Sequence, residues 1–180
     1  MKRWILPVVA LAIAAAIAWP FIFGGGTVEV KGRTFIVEHR LGEDGAMSRY
    51  TALHGRAALT KENAILCSWD RDRYIYSWSD RARAGFDVAY LDAAGKVLQT
   101  GRIRPGRVEL DEEGVASTVE ARRALYLPEG TIESLTLSAG DTVALSSDLA
   151  SAKPEPMTSI KLGGKTIHVE LSSSHLQRSR

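Results

Sequence analysis

The 180 residues hold 45% hydrophobic and 24% charged side chains. That balance excludes a disordered chain or a polytopic membrane protein and leaves room for one ordinary domain with appendages. Lys and Arg number 23 against 21 Asp and Glu, and Lys2 and Arg3 account for the excess; the neutral remainder has no field to hold a phosphate backbone, so no nucleic-acid partner is expected.

Residues 4–23 (WILPVVALAIAAAIAWPFIF) carry no charge. As a hydrophobic helix they would span about 30 Å, the depth of a bilayer core. Lys2 and Arg3 would stay cytoplasmic, placing everything after Phe23 outside. The expected location is therefore exported, anchored in the inner membrane through residues 4–23 and facing the periplasm or another extracytoplasmic space. Ala16-Ile17-Ala18 also fits a signal-peptide cleavage site, and cleavage near Ala18 would give a secreted protein. Trp19, Phe21 and Phe23, just before Gly24-Gly25-Gly26, suit a retained anchor, which is the preferred reading. The lone Cys67 excludes an intrachain disulfide and CxxC chemistry. Its place in the apolar run AILCSW predicts a buried, inert thiol, with an intermolecular bridge as the alternative.

VEVKGRTFIVE (28–38) alternates and turns at Lys31-Gly32, predicting a hairpin or bent strand. Residues 39–63 read as loops with a short helix. AILCSW (64–69) and YIYSW (74–78) read as strands, with Asp70-Arg71-Asp72-Arg73 as a hairpin connector. FDVAYLD (86–92) runs into Asp92-Ala93-Ala94-Gly95, where Gly95 suits the left-handed position of a turn with a bulge. KVLQTGRI and RVEL continue as strands, broken at Pro105-Gly106. Asp111, Glu112 and Glu113 suit a helix N-terminus, ALYL reads as a strand, and TIESLTLS as one or two helical turns. Ala139-Gly140-Asp141 is a turn before a closing strand, TVALS. Short strands with frequent turns predict a mainly β protein, a small, mostly antiparallel β-barrel or sandwich with one or two short helices.

Three segments resemble the domain of unknown function 192 family, spread over roughly residues 28–146. SWSDRARAGFDVAYLDAAGKVL (77–98) runs without gaps along that family's F-W-M-K-N-T-x-x-P-L-D-I-A-F-x-D-x-x-G-x-V pattern. EARRALYLPEGTIESLTLSAGDTV follows a later one, and Leu53, Gly55, Arg56 and Leu59 resemble its G-L-M-x-R-x-x-L element. The resemblance implies a small β-barrel over residues 24–150 and leaves the activity open. The chain departs from the pattern where Asp80-Arg81-Ala82 replaces Lys-Asn-Thr, where Gly85 replaces Pro, and where Ala52-Leu53-His54 stands for Gly-Leu-Met.

Trp78 with Asp80, Arg81, Arg83 and Asp87 is the candidate ligand-binding surface, since an aromatic face beside charges suits sugars, small anions or a protein partner. Against this stands a core Trp78 with charges paired on a solvated turn. Arg56, on a loop after Gly55, could add an anion contact. Asp87 is either outward-facing by strand alternation or buried and paired with an Arg. The four His residues show no metal-ligand spacing, and no nucleophile elbow or phosphate loop occurs. Neither catalytic residues, nor a metal, nor a cofactor are expected.

Residues 151–159 read as a linker carrying Pro154 and Pro156. Beyond it, IKLGGKTIHVE (160–170) aligns without gaps on VEVKGRTFIVE, displaced by 132 positions (Val28 to Ile160), with Gly164, Thr166, Val169 and Glu170 repeated. Residues 160–180 therefore read as the opening of a truncated second copy, against chance similarity of two short hairpins. Such a tail would be disordered, add to the barrel's edge, or self-associate through the 160–170 strand. The expected function is a non-catalytic envelope module binding a small polar ligand or a protein partner. A hydrolase or other enzyme acting on envelope glycans and a structural or degenerate paralogue without a retained site are the alternatives.

Overall fold

A computed structural model describes residues 26–41, 52–78, 82–105, 114–154, 157–162 and 165–170, with backbone alone for Trp78 and for the two segments after 156. The leader (4–23), Asp80, Arg81 and the 111–113 helix start lie outside the described residues. Among the described residues, no helix is long and apolar enough to cross a membrane.

The chain opens on a hairpin of β1 (Thr27–Val30) and β2 (Arg33–Arg40). Lys31 and Gly32 both take positive φ, 50° and 78°, the two-residue geometry that matches strand twist. Alternation then turns Val28, Val30, Phe35 and Val37 inward, each at most 1% exposed. β3 (Asn63–Arg73) lies parallel to β2. Next come β4 (Tyr76–Trp78), β5 (Phe86–Leu91), β6 (Val97–Ile103), β7 (Gly114–Ala116) and β8 (Ala121–Pro128). Two short helices, α1 (Thr131–Ser134) and α2 (Ser147–Ser151), flank β9 (Val143–Leu145). β10 (Met157–Leu162) and β11 (Lys165–Glu170) form a separate antiparallel pair.

Seven strands form one sheet in the order β6-β5-β8-β3-β2-β1-β9. It curls into a half-barrel, the mainly β architecture expected. Its two ends meet where Lys96 bridges Thr142 and the Val143 N–H donates to the Gly95 carbonyl at 2.9 Å. Each face buries its own core. Inside the curl, Phe35, Leu66, Leu91, Leu125 and Leu127 pack together, closed over by Leu137 and, from α2, Leu149. On the other face Ile65, Trp69, Phe86, Tyr90 and Tyr126 pack with Leu53 and with Ile75 and Val115 of the region around the β4–β7 ribbon. β5 is consequently buried at all six positions, which is why FDVAYL reads as nearly continuous apolar sequence. Cys67 is buried.

Two expectations change. Asp70–Arg73 is not a hairpin connector but the end of β3, and β4 pairs with β7 rather than β3. Ile75 and Ser117 cause this: the Ile75 N–H donates to Ser117 Oγ and the Ser117 N–H to the Ile75 carbonyl, drawing YSW off the main sheet. Residues 52–55 form turns, and 42–51, within the stretch expected to hold a short helix, lie outside the described residues. The linker is shorter at both ends, since α2 runs to Ser151 and β10 begins at Met157.

Candidate binding site

Asp87 and Arg102 face each other across the β5–β6 ladder, in register, at one end of the half-barrel. A β-bulge at Tyr90/Leu91 sets that register. Asp87 is 1% exposed and inward-facing. Its Oδ1 accepts from Arg102 Nε at 3.2 Å and its Oδ2 from the Ile132 backbone N–H of α1 at 2.8 Å. Of the two readings of this residue, the structure selects the buried one paired with Arg. Its hydrogen bond, then its charge, raises the Arg102 pKa above its already high ordinary value.

These side chains line an open cavity of about 260 Å³ with Thr100, Gly101, Ile132 and Glu133. Arg102 also lies 3.7 Å from Glu133 Oε2 and feels Glu129. Three carboxylates thus surround one guanidinium, so the mouth favours hydrogen-bond donors and positive charge over anions. The Glu129 carboxylate lies against Gly85: a Cβ added there would stand 2.5 Å from its Cδ. The glycine that replaces the family's proline therefore gives Glu129 its room.

Arg56 is not part of this cavity. Its NH1 and NH2 each contact Glu38 at 3.0 Å, and its Nε donates to the Ala52 carbonyl at 2.9 Å. Through its backbone carbonyl it also fixes the Arg83 N–H at 2.9 Å. Its geometry is that of a loop anchor. Trp78 lies on β4, opposite Gly114, with its side chain undescribed. Arg102, Glu133, Glu129, Thr100 and the Ile132 N–H were all missed by sequence reasoning, and no motif marks them.

A second polar cluster sits on the inner face, where Ser68 and Arg123 are register partners on β3 and β8. His39 Nε2 lies 2.9 Å from Ser68 Oγ. Burial, aided by the Arg123 charge, lowers the His39 pKa to about 4, so it is neutral at physiological pH. Arg123 bonds the carbonyls of Asp92 and Ala93, holding that turn, while its buried Nε has no hydrogen-bond partner among the described residues. Ser68 is only 2% exposed, too closed to reach a substrate as a nucleophile. On the opposite face a buried hydroxyl chain runs from Tyr126 to Ser77 (3.1 Å), Tyr90 (2.9 Å) and the Val115 carbonyl (2.6 Å). Burial pushes the Tyr90 pKa up to about 12 and that of Tyr126 well above its ordinary value. Among the described residues no group of three His, Cys, Asp or Glu could hold a metal ion.

No match was found among curated proteins. The fold is shared with solved structures, among them the following two. A candidate transcription regulator from Sinorhizobium meliloti 1021 is 19% identical with a TM-score of 0.58, covering 69% of this chain and 95% of its own. A protein of unknown function from Novosphingobium aromaticivorans DSM 12444 is 15% identical with a TM-score of 0.53, covering 66% of this chain and 82% of its own. At these identities the likeness shows the fold alone. The family model DUF192, described as an uncharacterized ACR, matches residues 28–145. The chain belongs to the domain of unknown function 192 family.

Proposed function

We propose that the chain is a non-catalytic module that binds a small polar ligand at the Asp87–Arg102 cavity. The observation that carries this reading is the Asp87 carboxylate, fixed on both oxygens by Arg102 and Ile132 at the wall of an open cavity. A carboxylate so committed is poor at proton transfer and good at holding a recognition geometry. At about 260 Å³ the cavity is smaller than the ~300–1,000 Å³ of typical ligand sites, so the ligand is compact. The acidic surround favours one presenting amine or hydroxyl donors. The half-barrel closes as a small barrel, carried outside the membrane by an N-terminal hydrophobic helix; the uncharged 4–23 segment behind Lys2 and Arg3 supports this placement. A glycan hydrolase is the second reading, favoured only by a buried carboxylate at a cavity wall.

A thermal-shift panel of amino acids, polyamines and small sugars tests the module. A compound that raises the melting temperature of the full chain, but not of a folded Arg102→Gln variant, supports it. Turnover of a glycan lost in Asp87→Asn would favour the hydrolase. A panel with no shift, and a partner retained by the Arg102→Gln variant, would remove the cavity from the function.

A further inference from the structure

The hairpins β1–β2 and β10–β11 have the same register. In the first, Val28 pairs with Phe35, Glu29 with Thr34 and Val30 with Arg33. In the second, Ile160 pairs with Ile167, Lys161 with Thr166 and Leu162 with Lys165. Each position is matched at the same displacement, and each hairpin turns on two residues. Gly163-Gly164 replaces Lys31-Gly32, and glycine pairs suit a turn needing positive φ twice. The buried positions of the first hairpin, Val28, Val30, Phe35 and Val37, correspond to Ile160, Leu162, Ile167 and Val169. Alternation puts these four register positions on one face, and hydrophobic replacements of similar size are the kind a core tolerates best.

We propose that β10–β11 is an alternative occupant of the place β1–β2 holds between β9 and β3, and that one chain exchanges its first hairpin for its last. That place is specified on both sides: β9 takes β1 antiparallel, with Glu29 opposite Ala144, and β3 takes β2 in parallel, with Ile36 opposite Asn63. In the exchanged form Lys161 stands opposite Ala144 and His168 opposite Asn63. The connection allows it, because β10 follows β9 through α2 and residues 152–156, long enough to return antiparallel along the same edge. A short tether also keeps the tail at high effective concentration, favouring its own body over a second molecule. The resident hairpin keeps its place through a contact the tail lacks. Lys31 pairs with Asp141 at 2.5 Å, where the tail has Gly163. Exchange would free residues 27–40 while the inner core stays filled.

Disulfide trapping in the full-length chain tests this. Glu29→Cys with Ala144→Cys reports the resident form; Lys161→Cys with Ala144→Cys reports the exchanged one. Lys31→Ala, a mild surface change, and Phe35→Ala should each raise the trapped Lys161–Ala144 fraction several-fold, and Ile167→Asp should abolish it. The proposal is overturned if the Lys161–Ala144 bond stays absent in both weakened chains while the Glu29–Ala144 bond forms in the unweakened one. It is equally overturned if Ile167→Asp leaves trapping unchanged, or if the bond joins two molecules, seen as a dimer on a non-reducing gel that reductant dissolves.

Discussion

The carbonyl oxygen of Val143 stands 2.3 Å from where a Cβ on Gly95 would lie, and Gly95 has φ +91°. The two ends of the curled sheet approach this closely because the residue between them has no side chain. Gly95→Ala should cost about 2–4 kcal/mol, strain and collision together. Gly140→Ala has φ +97° with nothing near its Cβ, and should cost only about 1 kcal/mol. Urea denaturation of both variants measures the difference; equal losses would mean the close approach is unimportant.

Asp87→Ala leaves the Ile132 N–H and Arg102 without their acceptor and should destabilise by about 3 kcal/mol. Arg102 is half exposed, so its share is screened. A double-mutant cycle with Arg102→Ala should return a small favourable coupling. Additive losses in that cycle would show that Asp87 is held by α1 alone.

Ser77 relays the hydroxyl chain between Tyr126 and Tyr90. Ser77→Ala strands the buried Tyr126 hydroxyl, while Tyr90 keeps the Val115 carbonyl, and should cost about 2 kcal/mol, against about 1 kcal/mol for Tyr126→Phe, which removes one terminal donor. Chemical denaturation that ranks them the other way would indicate a water taking the place of Ser77.

His39 has a pKa of about 4 in the fold against 6.5 in an open chain. Above pH 6.5 neither state binds a proton and this group contributes its full stability. As pH falls from 6.5 to 4 the unfolded state binds the proton first, so stability drops, by up to about 3 kcal/mol, and levels off below 4. His39→Gln keeps a partner for Ser68 and should flatten that window. An unchanged pH profile in the variant would assign the acid sensitivity to other groups.

The β5–β6 hairpin was legible because its turn residues are local: Gly95 takes the left-handed conformation that Asp92-Ala93-Ala94-Gly95 called for. The pairing of Asp87 was not. Counted back from Leu91 opposite Val97 without a bulge, Asp87 would face Gly101; the bulge at Tyr90/Leu91 moves it onto Arg102. A one-residue slip exchanges the partner, and nothing in the sequence around Tyr90 marks where the extra residue goes. The Asp70–Arg73 segment misled for a related reason. Four charged residues resemble a turn, yet Arg122 bonds Asp72 and the Asp70 carbonyl and keeps the segment in β3.

The order of residues alone determined the β character, the first and last hairpins, the buried thiol and the family, because alternation and turn chemistry act between near neighbours. Only the folded molecule decided that β2 runs parallel to β3, that β4 leaves the sheet for β7, and that Arg102, Ile132 and Glu133 gather around Asp87. Those contacts join residues far apart in the chain, and packing on two faces, rather than local preference, selects among the pairings each strand could make.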